Sequence, residues 1–97
     1  MESVKVIAKR VFQEDKMEEA LQLYQQLKVE TIKETGCIGY ELFQDTKNPT
    51  TMVMIEEWAN DIAFKSHVNS AHIKEIGPKL AALGIQPMEL TILKKVL

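Results

Sequence analysis

Cysteine is almost missing from this chain. Cys37 stands alone, so no internal disulfide can form and no Cys-x-x-Cys pair exists for zinc or redox work. Arginine is as scarce: Arg10 is the only one, which counts against a clustered anion site and a phosphorylated substrate. No apolar run approaches the ~20 residues of a bilayer-spanning helix. The opening Met-Glu-Ser-Val-Lys has no basic head leading into an apolar stretch, so no signal peptide is expected and a cytoplasmic location follows by default. Lys and Arg number 12 against 14 Asp and Glu, a net charge of −2, and the lysines are scattered. Neither nucleic acid nor an anionic membrane is therefore an expected partner. The sequence also lacks a phosphate-cradling glycine loop, a dinucleotide fingerprint, a Ser-His-acid signature, an internal repeat and a linker.

What is present is concentrated in one stretch, Met52 to His72. It starts as an apolar strand, runs into the only tryptophan, Trp58, passes a helix start at Asn60 or Asp61, and delivers the only histidines, His67 and His72. The rest of the chain reads as scaffold around it. Ser3–Phe12 alternates with interleaved lysines and predicts a strand. Asp15-Lys16-Met17-Glu18 has capping-box spacing. From there Met17, Ala20, Leu21, Tyr24 and Leu27 recur at helical intervals, continuing through Ile32 to a left-handed cap at Gly36. Cys37–Gln44 predicts a second strand, with Ile38, Tyr40 and Leu42 on one face. A turn on Asn48-Pro49 leads to a third strand, Thr51–Trp58. The second helical region carries Ile62, Ala63, Phe64 and Val68. It should break and recap at Asn69-Ser70, bend or restart at Gly77-Pro78, and end by Gly84. Pro87–Val96 predicts the last strand.

The order is β-α-β-β-α-β over one domain, residues 1–97. Right-handed crossovers then give a ferredoxin-like α+β fold, a four-stranded antiparallel sheet with two helical regions on one face. The strands nevertheless carry apolar residues on both sides: Met52 and Met54 against Val53 and Ile55, Leu42 against Phe43. About five such side chains left in water would forgo roughly 1.5–3 kcal/mol each, a sum comparable to the stability of a whole domain. A homodimer, packed through the open sheet face, is expected.

Each conspicuous side chain has two readings. Trp58 shares the parity of Glu56, Met54 and Met52. It is either core beneath the helices or a flat wall with a directional N–H for a planar ligand. His67 follows Phe64 by three residues and is either a satisfied structural imidazole or a general base. His72 would lie about 140° around an unbroken helix from His67, so the two share a pocket only if the chain breaks at Asn69-Ser70. Their spacing of five also argues against a metal pair on one face, and no metal site is expected. Glu56 and Glu57 alternate sides, and only Glu56 follows Trp58. Tyr40 can donate to a ligand oxygen or simply pack, and Cys37 reads as a small buried hydrophobe.

Taken together, Glu34-Thr35-Gly36-Cys37-Ile38-Gly39-Tyr40, the Asp45…Asn48-Pro49 turn, Glu56-x-Trp58 and His67-x-x-x-x-His72 resemble the antibiotic biosynthesis monooxygenase family of dimeric α+β barrels. The likeness covers nearly the whole chain, with Glu34-Thr35-Gly36 standing where the family often has Glu-Pro-Gly. The resemblance implies a cofactor-independent monooxygenase acting on a small aromatic quinol or polyphenol. Its catalytic residues would be His67 and His72, with Trp58, Glu56, Tyr40, Met54 and Phe64 contacting the substrate. The same pocket also admits isomerisation or tautomerisation of a small carbonyl compound. A haem-binding or haem-degrading protein with a histidine ligand and a non-catalytic dimeric binding module complete the alternatives.

Overall fold

The computed structural model describes residues 2–97. The elements run β1 (Val4–Val11), α1 (Met17–Thr31), β2 (Cys37–Gln44), β3 (Thr51–Trp58), α2 (Asp61–Val68), α3 (Ala71–Leu83) and β4 (Glu89–Lys94). A single 3-10 turn at Glu14–Lys16 precedes α1. The strands form one antiparallel sheet in the order β2-β3-β1-β4. This is the expected ferredoxin-like α+β arrangement, with the second helical region divided into two helices.

Register explains which side chains are buried. Val4, Val6 and Ala8 pair with Trp58, Glu56 and Met54, so the period of two puts all six on one face. That face meets Ala20, Tyr24 and Leu27 of α1, Phe64 of α2 and Ile76, Leu80 and Leu83 of α3, all buried. On the opposite face Lys5, Ile7 and Lys9 pair with Glu57, Ile55 and Val53. Ion pairs there, Lys5–Glu57 at 3.7 Å and Lys9–Glu89 at 3.8 Å, are exposed and contribute little. Phe43 and Leu93 on this side remain 48% and 43% exposed. The helices also stop short of β4: Leu90 and Ile92 pair with Ala8 and Val6 yet stay 45% and 54% exposed. No helix among the described residues is long and apolar enough to cross a membrane.

Several local expectations need correction. The capping box does not form. The chain turns inward at Gln13, which is extended, so Asp15 falls inside the 3-10 turn and Lys16 takes the cap position without a side-chain bond. Helix α1 ends at Thr31. Gly36 does have a left-handed φ of 86°, but it shapes the turn into β2 rather than capping the helix. A bulge between Cys37 and Gly39 sets Cys37 opposite Trp58 and Gly39 opposite Glu57. It turns Cys37 toward the core and leaves Ile38 59% exposed, away from Tyr40. The last strand is shorter than expected, Glu89–Lys94.

Helix α3 also runs unbroken through Gly77-Pro78. An interior proline costs about 3 kcal/mol, whereas burying Ile76, Leu80 and Leu83 contributes roughly 1.5–3 kcal/mol each. Packing wins. The break at Asn69-Ser70 is where the sequence places it, because both new helices start on good caps. Asn60 Oδ1 accepts from Ala63 N at 2.8 Å, and Ser70 Oγ accepts from Ile73 N at 3.4 Å.

Gly36 fixes how α2 sits against the loop after α1. A Cβ added there would lie 2.6 Å from Ala63 Cβ, while Gly36 O accepts from Ala59 N at 2.8 Å. Gly36→Ala is expected to destabilise the fold by about 2–4 kcal/mol, from left-handed strain plus the clash. Urea denaturation checks this, and a loss below about 1 kcal/mol would contradict the tight approach.

Candidate functional site

Between the sheet and the helices lies a cavity of about 170 Å³. Its floor is Ala8, Arg10, Tyr40, Met54 and Glu56. Its roof is Tyr24 and Leu27 from α1, Phe64, His67 and Val68 from α2, and Ile73, Gly77 and Leu80 from α3, with Met88 and Leu90 at the β4 side. The walls are mostly apolar. Five of the residues singled out in the sequence, Tyr40, Met54, Glu56, Phe64 and His67, line it.

Trp58 does not. It is fully buried and lies beside His67, with ring centroids 4.5 Å apart and planes 33° to each other. Its strand parity is as expected, but α2 crosses the end of β3 with His67 and Phe64 over the indole. The open space therefore begins on the other side of the imidazole. Tyr40 meets His67 edge-on at 5.5 Å, so the ring is held by aromatic surfaces on two sides.

Glu34, whose side chain drew no role in the sequence, organises the polar groups. Its Oε2 lies 2.6 Å from His67 Nδ1 and 2.7 Å from His72 Nε2. A carboxylate oxygen only accepts, so both rings present an N–H to it. The break between α2 and α3 is what lets His72 reach this point. It stands behind His67, outside the cavity lining. With its proton on Nδ1, His67 keeps a lone pair on Nε2, which lies 3.8 Å from Glu56 Oε1. Glu56 Oε1 in turn accepts from Trp58 Nε1 at 3.0 Å.

Burial governs the titrations. The His67 pKa is lowered by burial, which outweighs the Glu34 contact, so the ring is held neutral. Burial pushes Glu56 up to about 7, opposed by the Trp58 N–H and reinforced by the charge of Glu34. The Tyr40 hydroxyl is raised by burial and then by Glu56. The Cys37 thiol is raised by burial and then by Glu34 and Glu56, in keeping with its reading as a small hydrophobe. Two further residues were missed in the sequence. Tyr24 is pushed up to about 12 by burial, partly offset by Arg10. Arg10 itself lines the cavity and joins none of the ion pairs among the described residues. The strand alternation carried that signal, since Arg10 shares a face with Ala8. The result is an apolar slot with an imidazole acceptor, a carboxyl group that titrates near neutrality and a phenol on one wall.

With this geometry in view, the comparisons with known proteins are specific. Residues 3–79 match the family described as antibiotic biosynthesis monooxygenase. The chain belongs to that family. It is 32% identical over 75 residues to the Bacillus subtilis protein named "Putative monooxygenase YcnE", covering 77% of this chain and 79% of that one. It is 30% identical over 80 residues to an uncharacterized Synechocystis protein, covering 82% of this chain. The match spans about half, 54%, of that relative's length. Among solved structures, a conserved protein from Methanosarcina mazei superposes with a TM-score of 0.96 at 35% identity, covering 99% of this chain and 95% of that one.

The raised Glu56 pKa carries a stability consequence. A carboxyl whose folded pKa exceeds its unfolded value favours folding below the unfolded value of 4.5, and that benefit is lost as pH rises through about 7. Glu56→Gln keeps an acceptor for Trp58 and removes the charge. It is expected to stabilise the protein at pH 8, relative to its effect at pH 4, by on the order of 3 kcal/mol. Urea denaturation at both pH values provides the test, and a gain independent of pH would count against the raised pKa.

Proposed function

We propose that this chain is a cofactor-independent monooxygenase of a small, single-ring phenol or quinol, with His67 as the general base. The observation that carries the proposal is the cavity of about 170 Å³ with His67 and Glu56 on its otherwise largely apolar wall. Apolar cavities of about 150 Å³ take up benzene, so the volume suits one aromatic ring. It falls below the ~300–1,000 Å³ of drug-sized sites, which argues against haem within a single chain. Family membership and the monooxygenase name borne by the Bacillus relative support the reaction class.

In this reading the substrate hydroxyl gives its proton to His67 Nε2. The electron-rich anion passes one electron to O₂, and the radical pair recombines as a ring peroxide that takes the proton back from His67 to become a hydroperoxide. Loss of water then leaves a carbonyl, so the substrate itself is the reductant. Glu34 holds the tautomer that frees Nε2, His72 steadies Glu34, and the apolar walls keep water from the anion. Tyr40, Met54 and Phe64 contact the ring, and Trp58 supports the base from behind. Arg10 supplies a cation toward developing negative charge. A cytoplasmic setting belongs to the same proposal, since a lone thiol such as Cys37 suits a reducing compartment.

The test is O₂ uptake by chelator-treated protein with a monocyclic dihydroquinone. His67→Ala should lower the rate by about 10²–10⁴-fold, and His72→Gln should lower it less. A loss below about tenfold on replacing both histidines would remove their role. Turnover without O₂ would assign the same base to an isomerisation.

We further propose a homodimer through the open sheet face. Its support is the apolar character of Ile7, Val53, Ile55, Phe43 and Leu93 on that side, the last two of them 48% and 43% exposed. Sedimentation velocity should give twice the chain mass at micromolar concentration, and a monomer there would refute the pairing.

A further inference from the structure

We infer that Glu34, His67 and His72 form a binding site for a divalent transition-metal ion of the zinc class, on the side of His67 facing away from the cavity. Glu34 Oε2, His67 Nδ1 and His72 Nε2 all lie within 4.8 Å of one another. Two imidazoles and one carboxylate are a donor set that suits Zn²⁺ and its neighbours better than Mg²⁺ or Ca²⁺. The sequence argued against a metal pair because residues five apart do not share a helix face. That argument lapses here, since α2 ends at Val68 and α3 begins at Ala71. The third ligand comes from the loop after α1, beyond the reach of any local spacing rule.

The geometry must adjust among the three ligand atoms, which lie within 4.8 Å of one another but not at equal spacing. Tetrahedral zinc, with bonds of about 2.0–2.2 Å, spaces its ligand atoms about 3.3 Å apart. The hydrogen-bonded contacts of 2.6 and 2.7 Å must therefore open by a little over half an ångström, as the ion replaces the shared protons. The His67 ring is fixed against Trp58. Glu34 and His72 are the adjustable partners, with side chains 14% and 17% exposed. The ion can enter from a surface hollow beside His72, bordered by Gln26, Val29, Glu30, Glu75 and Ile76. Three protein ligands leave the fourth position to water. The ion would join the α1–β2 loop, α2 and α3, three segments that otherwise meet there only through hydrogen bonds and side-chain packing. The site shares His67 with the proposed oxygenation: an ion on Nδ1 puts the ring proton on Nε2, so the metal-loaded form lacks the base that faces the cavity.

The test uses the full chain after chelator treatment, titrated with Co²⁺ and followed by visible absorption. One equivalent should saturate the signal, Zn²⁺ should displace it, and the melting temperature should rise with Zn²⁺ concentration. Glu34→Gln and His72→Gln should each weaken binding by about tenfold or more, while Cys37→Ser leaves it unchanged. The unmodified protein gives a reading that needs no variant: Zn²⁺ should shift the ring-nitrogen NMR signals of both His67 and His72. Absence of saturable binding, an affinity unchanged in both cluster variants, a thiolate-to-cobalt band, or unmoved ring signals would each overturn the site.

Discussion

One carboxylate oxygen sets the arrangement of the polar groups at the candidate site. Glu34 Oε2 accepts from two imidazoles that arrive on different helices. Without it, His67 would carry a buried N–H with no acceptor, and a buried unsatisfied donor costs about 1–3 kcal/mol. The contact decides which nitrogen of His67 carries the proton. That choice in turn leaves Nε2 facing Glu56 and the cavity. The indole completes the arrangement from the opposite direction, giving its own N–H to Glu56 and its face to His67. Tautomer, ring orientation and the chemistry of the cavity wall thus follow from one acceptor and one aromatic surface.

What the sequence discloses is what is encoded locally. Alternation around Val4–Val11 and Thr51–Trp58, a good cap at Asn60 and a second at Ser70 are written within a few residues, and the structure follows them. The resemblance to a known family covers nearly the whole chain, with the family match ending at residue 79, before β4. Local rules fail where distant packing outweighs them. Pro78 is carried through α3 by the buried residues on either side, and the bulge at Cys37 depends on its partner strand. The site was legible in its cast and illegible in its layout. Tyr40, Met54, Glu56, Phe64 and His67 were all identifiable by residue type and parity. Nothing in a linear reading says that Glu34 reaches residues 33 and 38 positions away. Nor does parity alone say that Trp58 would sit behind the imidazole.

The cavity and the cluster divide one imidazole between two environments. Nε2 faces Glu56 and the mostly apolar wall of the cavity. Nδ1 faces a partly exposed carboxylate at the seam of the helices. A single ring thereby couples the cavity to the helix seam, and substitutions on the surface side can alter the cavity wall without touching its lining.

The separation of the three cluster residues along the chain has an entropic corollary. Closing loops of 33 and 38 residues carries an entropic cost that only the docking of the α1–β2 loop, α2 and α3 offsets. A fragment that lacks any one of these segments lacks the triangle of side chains, whatever helices and strands it keeps. Its presence therefore reports that all three segments have docked, which no single helix or strand can report alone.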